Sequence, residues 1–437
     1  MIRTVFAGLV ALVLAFPAAA AVEIKEVTSP GGIKAWLVEE HSIPFTALEI
    51  RFQGGSSLDA PGKRGAINLM TALIEEGAGD LDSQGFAKAR EALAAEFTFD
   101  VYDDALSVSA KFLTENRGES VALLRSALTE TRFDQDAIDR VRAQVVSIIQ
   151  SDEKDPERMA GRGFDRLAYG EHPYASSRNG TLESIAALTR ADMFAARDRV
   201  IARDRLFVSA VGDITADELG KLLDELVGGL PATGAPMPPR ADFALQGGVT
   251  VIDFASPQSV VVFGHSGIKR DDPDFFAAFV LNHIMGGTGF ASRLMNEVRE
   301  KRGLTYGVGT YLVPMDLAET WQGSVQSANE KVAEAIGVIR DEWAKAATQG
   351  VSESELTAAK TYLTGAYPLR FDGNGPIADI LVGMQMQGLP IDYVVNRNAY
   401  IEAVTLDDVK RVAARLMHPE GLRFVVVGQP AGLVATE

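Results

Sequence analysis

A chain of 437 residues without cysteine has no disulfide framework, no thiolate ligand and no cysteine nucleophile, so its stability has to come from buried apolar surface. A formal charge of −17 argues against nucleic-acid binding, which needs clustered Lys and Arg. The length exceeds what one hydrophobic core supports and implies two or more domains.

At the N-terminus Arg3 precedes an uncharged apolar run from Val5 to Phe16, followed by Pro17 and the small residues Ala18 to Ala21. A charged start, a short apolar stretch and an A-x-A site make residues 1–21 a secretory signal peptide. The run is shorter than the ~20 apolar residues of a membrane span. Its removal predicts an exported, soluble mature chain, and with an acidic, cysteine-free composition the expected compartment is a bacterial periplasm.

Beyond the leader, Ala47 to Phe52 reads as a strand that leads through Gly55, Asp59 and Pro61 to a helix. Its 3.6-residue spacing runs through Ala66, Leu69, Met70 and Leu73, and Gly77-Ala78-Gly79 closes it. Leu106, Val108, Ala110 and Phe112 alternate as a half-buried strand does. Leu188-Thr189-Arg190-Ala191-Asp192 opens a helical stretch, and Arg205 to Asp213 reads as a strand. The stretch Pro231-Ala232-Thr233-Gly234-Ala235-Pro236-Met237-Pro238-Pro239 continues neither helix nor strand, so residues 231–246 form a linker.

After the linker the pattern repeats. Val260 to Phe263 leads through Gly267, Asp272 and Pro273 to a helix ending at Gly286-Gly287-Thr288-Gly289. Val404-Thr405-Leu406-Asp407-Asp408 opens a helical stretch before Leu422 to Gln429. Thr189 and Thr405 are separated by the same distance in sequence as Val211 and Val427. The chain therefore reads as two similar domains, 22–230 and 247–437. Each is expected to be α+β, a mainly antiparallel sheet with helices on one face. Units of this length are too long for a solenoid repeat.

The stretch Ser292-Arg293-Leu294-Met295-Asn296-Glu297-Val298-Arg299-Glu300-Lys301-Arg302-Gly303-Leu304-Thr305-Tyr306 resembles the second-domain signature S-R-L-x-x-x-(I/V)-R-E-x-x-G-L-x-Y of the pitrilysin/insulinase family, the inverted zincins. His172-Pro173-Tyr174 is similar to a tripeptide of that family's first domain. The resemblance covers nearly all of the chain after the leader and is closest to the two-domain processing-peptidase branch. It implies paired domains that form half of a clamshell around an extended peptide.

The same resemblance says where zinc belongs. Active members carry His-x-x-Glu-His on the first helix after the Gly/Asp-Pro loop, two ligands at i and i+4 with a general base between them. Here Asn68 and Ala72 occupy the ligand positions and Thr71 that of the base. Ala72 has no donor atom, and Thr71 cannot accept a proton at neutral pH. The third ligand, a glutamate, falls near Ser147 and Ile148, and Val141 to Ser151 contains no acid. Glu75 and Glu76 read as a solvated helix end. The five histidines, His41, His172, His265, His283 and His418, are too dispersed for a local motif, and His283 reads as a core histidine. No G-x-S-x-G elbow is present, and Gly286 to Gly289 lacks the lysine of a P-loop. No metal or other cofactor is expected on this chain.

What is kept is Arg299 and Tyr306, which the resemblance implies reach across the clamshell to hydrogen-bond substrate carbonyls near the scissile bond. An always-charged donor fork and a phenol on a stiff arm suit that task. A chain with this pair and no zinc half resembles the non-catalytic subunit of a heterodimeric metallopeptidase. The implied partner is a homologous subunit bearing His-x-x-Glu-His and its zinc. The implied substrate is a peptide held by strand pairing. Two other readings stand beside it. One is a structural or peptide-binding subunit with no share in catalysis, as in the core subunits of a respiratory complex. The other is a zinc peptidase with relocated ligands, which metal analysis decides. A homodimer is also open at this point.

Overall fold

The computed structural model describes residues 23–287, 289 and 291–436; the expected signal peptide lies outside them, as does Thr288 of the glycine-rich run. The first half builds a six-stranded sheet from β1 (Lys25–Thr28), β2 (Lys34–Glu39), β3 (Phe45–Gln53), β6 (Glu96–Val101), β7 (Ala105–Leu113) and β8 (Leu206–Gly212). A ribbon of β4 (Gly77–Ala78) and β5 (Leu81–Asp82) stands apart from it. The second half builds a five-stranded sheet from β9 (Gly248–Asp253), β10 (Gln258–Ser266), β11 (Val308–Pro314), β12 (Glu319–Ala328) and β13 (Arg423–Gly428). The orders are β1-β2-β8-β3-β7-β6 and β11-β12-β10-β13-β9. Read in one direction, β2-β8-β3-β7-β6 corresponds strand for strand to β9-β13-β10-β12-β11. In both sheets the same pair, β2 with β8 and β9 with β13, is parallel and the rest are antiparallel.

The helices of the first half are α1 (Ala66–Ala72), α2 (Ser83–Ala92), α3 (Arg117–Thr129), α4 (Gln135–Asp152), α5 (Pro156–Tyr169), α6 (Leu182–Ala186), α7 (Arg190–Val200) and α8 (Ala216–Val227). Those of the second are α9 (Phe275–Gly286), α10 (Val332–Gln349), α11 (Glu353–Ala366), α12 (Asn374–Met386), α13 (Tyr393–Ala403) and α14 (Leu406–Leu416). The repeat noted in the sequence has a local cause. Thr189 with Asp192 and Thr405 with Asp408 form reciprocal capping boxes that start α7 and α14, satisfying helix N–H groups that would otherwise lack partners.

Strand alternation decides which face each side chain takes. Leu48, Ile50 and Phe52 of β3 join Leu106 and Val108 of β7 in a core with the first half's own helices. Val261, Phe263, Phe424 and Val426 do the same in the second half. The opposite faces are covered by exchange. Phe164, Ala160 and Ala168 of α5, from the first half, pack on Val260, Val262, Val425 and Val427 of the second sheet. Ala378, Leu381 and Met384 of α12, from the second half, pack on Val38, Ala47 and Val211 of the first.

Polar contacts fix α12 in place. Ser209 Oγ donates to the Ala378 carbonyl (2.6 Å), Gln385 Nε2 donates to the Val208 carbonyl (2.8 Å), and Arg51 pairs with Asp379. On the other side α5 lies close to its sheet through Gly163, where a Cβ would stand 2.9 Å from Val425 Cγ1. The buried Tyr174, from the His-Pro-Tyr tripeptide, adds a polar joint: its hydroxyl pairs with Asp104 and accepts from the Leu317 N–H (3.2 Å). Residues 231–246 contain no helix or strand and run along this joint, with Ala244 N–H donating to the Ala168 carbonyl (3.0 Å). Among the described residues no helix is long and apolar enough to cross a membrane.

Candidate functional site

The loop before α1 is organised by Asp59, whose carboxylate accepts from the Gly65 and Ile67 N–H groups (2.8 Å each). Gly65 takes a left-handed conformation (φ 94°) that turns the chain into the helix. The helix then presents Asn68, Thr71 and Ala72 to a cleft of about 550 Å³, together with β6, α4 and α5. Gln144, Val145 and Ile148 of α4 face them; Ser147 does not line the cleft. The three degenerate positions and the expected third-ligand region thus do meet.

What they offer cannot coordinate zinc. The Thr71 hydroxyl donates to the Ile67 carbonyl one turn back (2.8 Å). Ala72 carries only a methyl, and Ile148 is apolar. Asn68 Nδ2 donates to Asn179 Oδ1 (3.2 Å), and Asn179 Nδ2 reaches Asp152 Oδ2 (3.4 Å). Among the described residues no three His, Cys, Asp or Glu side chains cluster in a way that could hold a metal ion. A protein zinc site takes nitrogen, sulfur or carboxylate donors. The residues present do not fit it.

Glu75 and Glu76 are half-buried and ion-paired rather than a solvated helix end. Helix α1 stops at Ala72; Glu75 pairs with Arg90 and Glu76 with Arg140, tying the turn to α2 and α4. The histidines stay apart. His41 is exposed beside Asp213 (2.7 Å), His172 contacts the Pro239 carbonyl (3.0 Å), and His418 precedes the short turn Pro419–Gly421. His265 is the buried one: its Nε2 accepts from Trp343 Nε1 (2.9 Å) and its Nδ1 donates to the Ser266 carbonyl (2.7 Å). Burial pushes its pKa down to about 4. His283 is only half-buried, stacked on Tyr362 with ring centroids 4.9 Å apart.

The signature from Ser292 to Tyr306 divides into anchors and presented groups. Arg293 holds Glu355 of α11 through two hydrogen bonds (2.5 and 2.8 Å) and the Gly350 carbonyl (3.0 Å). Leu294, Met295, Val298 and Leu304 are buried in the second core. Met295–Glu300 is a π-helix, closed by Lys301 N–H to the Asn296 carbonyl (2.9 Å). Such widened turns recur at functional sites. Gly303 then reverses the chain with φ 59°. Arg299 and Tyr306 emerge on one open cleft of about 490 Å³. The Arg299 guanidinium lies 3.6 Å from Glu300, and the Tyr306 side chain is 87% exposed. No residue lines both this cleft and the one over α1. The Arg–Tyr pair therefore opens on a cleft of its own.

Comparison with known proteins agrees with this anatomy. The peptidase M16 inactive domain matches residues 187–363. A crystal structure of a peptidase M16 inactive domain from Pseudomonas fluorescens superposes with a TM-score of 0.88 at 27% identity, covering 95% of this chain and all (100%) of that one. Residues 187–363 thus match an M16 inactive domain, and along nearly its whole length the chain is similar to proteins of the pitrilysin/insulinase fold. The chain is 25% identical over 390 residues to a non-peptidase homolog, YmxG, of Helicobacter pylori, covering 89% of the one and 90% of the other. It is 22% identical over 414 residues to the mitochondrial-processing peptidase subunit beta of Blastocladiella emersonii, covering 91% and 87%. The inactive M16 domain that it matches accords with the lack of a zinc donor set among the described residues.

Asn179 and Asp152, which occupy the polar side of the vacated site, were not singled out from the sequence. They lie on the α5–α6 connection and the end of α4, and nothing local links them to Asn68.

Proposed function

We propose that this chain is the non-catalytic subunit of a heterodimeric zinc peptidase, supplying Arg299 and Tyr306 in trans to a homologous partner. The observation that carries the reading is Tyr306: an aromatic side chain 87% exposed, on a loop pinned by buried Leu304, beside an arginine, and outside its own chain's vacated site. The Arg299 guanidinium and the Tyr306 hydroxyl would both donate to the carbonyl oxygen of the peptide bond under attack, where negative charge develops. Fixed donors aimed at that oxygen are a large part of catalysis in such sites. The metal and its bound water would belong to the partner.

The peptide would be held by strand addition. Strand β6 is a sheet edge that pairs only with β7 among the described residues. Its Phe99, Asp100 and Val101 line the cleft over α1, so an extended chain laid there would hydrogen-bond to free backbone groups. The relative that is a processing-peptidase subunit supports a peptide substrate and a homologous partner. The leader read from residues 1–21 supports export to a periplasm.

The test is reconstitution with the zinc-bearing homologue and the double substitution Arg299→Ala with Tyr306→Phe. Turnover of a reporter peptide is expected to fall at least about a hundredfold, with zinc retained by the partner. Undiminished turnover refutes the in-trans role.

A further inference from the structure

A third cleft shares no residue with either of those sites. It lies where α9, β11, α12 and α13 meet and encloses about 460 Å³, within the roughly 300–1,000 Å³ of small-ligand pockets. Its walls are aromatic, with Phe275, Phe276 and Phe279 from α9 facing Tyr367 and Tyr393. Its charge is one-sided. Arg270, Arg370 and Arg397 line it, and none of the three forms an ion pair among the described residues. The single acid on its wall, Asp379, is held by Arg51. In a chain of net charge −17, three arginines left to one aromatic cleft are unusual.

Neighbouring rings orient two of these groups without neutralising them. The Arg270 guanidinium sits 4.2 Å from the Phe275 centroid and donates to the Tyr393 hydroxyl (2.9 Å). That of Arg397 sits 4.7 Å from Tyr367. Cation–π contact fixes a guanidinium plane while leaving its charge for an anion.

Two further groups in the cleft are incomplete. Among the described residues the Tyr367 hydroxyl and Asn282 Oδ1 have no hydrogen-bond partner, although their residues are only 9% and 8% exposed. A buried donor and a buried acceptor without partners destabilise a fold unless something completes them. The cleft therefore asks for a ligand with an anionic acceptor, an N–H donor and an apolar body. We infer that it binds the C-terminal residue of a peptide whose last side chain is aromatic or large and apolar. The carboxylate meets Arg270, Arg370 and the Tyr367 hydroxyl, the amide N–H donates to Asn282 Oδ1, and the side chain lies among the phenylalanines. This goes beyond the in-trans role and needs no partner subunit.

The test is calorimetric titration of the purified chain with N-acetyl-L-phenylalanine, N-acetyl-L-phenylalaninamide and 3-phenylpropionate. Saturable binding of the first is expected. Loss of the carboxylate charge in the amide, or of the N–H in phenylpropionate, should each weaken it by about tenfold or more. Arg370→Gln, on an exposed side chain whose loss leaves the fold intact by thermal melting, should weaken acetylphenylalanine by a similar factor. Absence of saturable binding, equal affinity for acid and amide, or an unchanged Arg370→Gln variant would overturn the site. Equal affinity for phenylpropionate would overturn its assignment to a peptide terminus.

Discussion

Phe164 offers a direct test of whether the exchanged helices carry stability. It belongs to α5 in the first half, yet its fully buried ring lies on the outer face of the second sheet, where a Cβ on Gly264 would stand 3.0 Å from its Cζ. Truncating a buried phenylalanine to alanine costs about 3–5 kcal/mol in transfer energy and residual cavity. The ring packs against Val260, Val262, Val425 and Val427, so the cost falls on the docking of α5 against β10 and β13. If about 3 kcal/mol of it emerges as easier separation, the opening equilibrium of those strands rises by about two orders of magnitude, at roughly 1.4 kcal/mol per tenfold. Hydrogen exchange followed by mass spectrometry on Phe164→Ala should show that rise in peptides covering Gln258–Ser266 and Arg423–Gly428. Peptides covering Ala105–Leu113, in the first sheet, should keep their protection. Faster exchange confined to the first half would refute the reasoning and make the two halves independent stability units.

Asp165 predicts a pH dependence. Burial first and the neighbouring Asp103 second push its carboxyl from the ordinary 3.8 to about 7. The folded chain then holds this proton more tightly than the unfolded one. The group costs nothing below about pH 4 and destabilises progressively up to pH 7, by at most about 4 kcal/mol. Asp165→Asn should raise the urea midpoint clearly at pH 8 and less at pH 5; equal gains at both would sink the argument. Thr405→Ala should remove the capping box of α14 and cost about 1 kcal/mol, with Thr189→Ala costing a similar amount at α7. Calorimetric losses below a few tenths would show that those helix starts are set elsewhere.

Features encoded by neighbours in the chain were legible in the sequence, and features assembled from distant segments were not. Asn68, Thr71 and Ala72 sit within about one helical turn, so their lack of donor chemistry was legible once the family resemblance said where the zinc motif falls. The anchors and presented groups of Ser292 to Tyr306 are also contiguous, although the π-turn inside them leaves no periodic trace. Helices on one face of each sheet were expected, and each half does place its own helices there. The cover on the other face comes from the opposite half. The sign of it was present: Val260-Val261-Val262-Phe263 and Phe424-Val425-Val426-Val427 are continuous apolar runs, and a strand apolar on both sides needs both sides covered. Alternation names the faces that must be buried but not the segment that buries them. The apolar stripe of Ala160, Phe164 and Ala168 fits any flat apolar surface, so only the tertiary structure assigns it to the second sheet.

The aromatic cleft illustrates the same rule at the level of function. Arg270, Asn282, Tyr367 and Arg397 are spread over separate segments, and each alone resembles an ordinary surface or core residue. Brought together, they share a property none has singly: positive charge and unpartnered polar atoms inside an apolar wall. Natural folds seldom leave such groups unsatisfied without use. The proposed recognition site and the cleft over α1, which lacks zinc donors, can be tested separately because no described residue lines both.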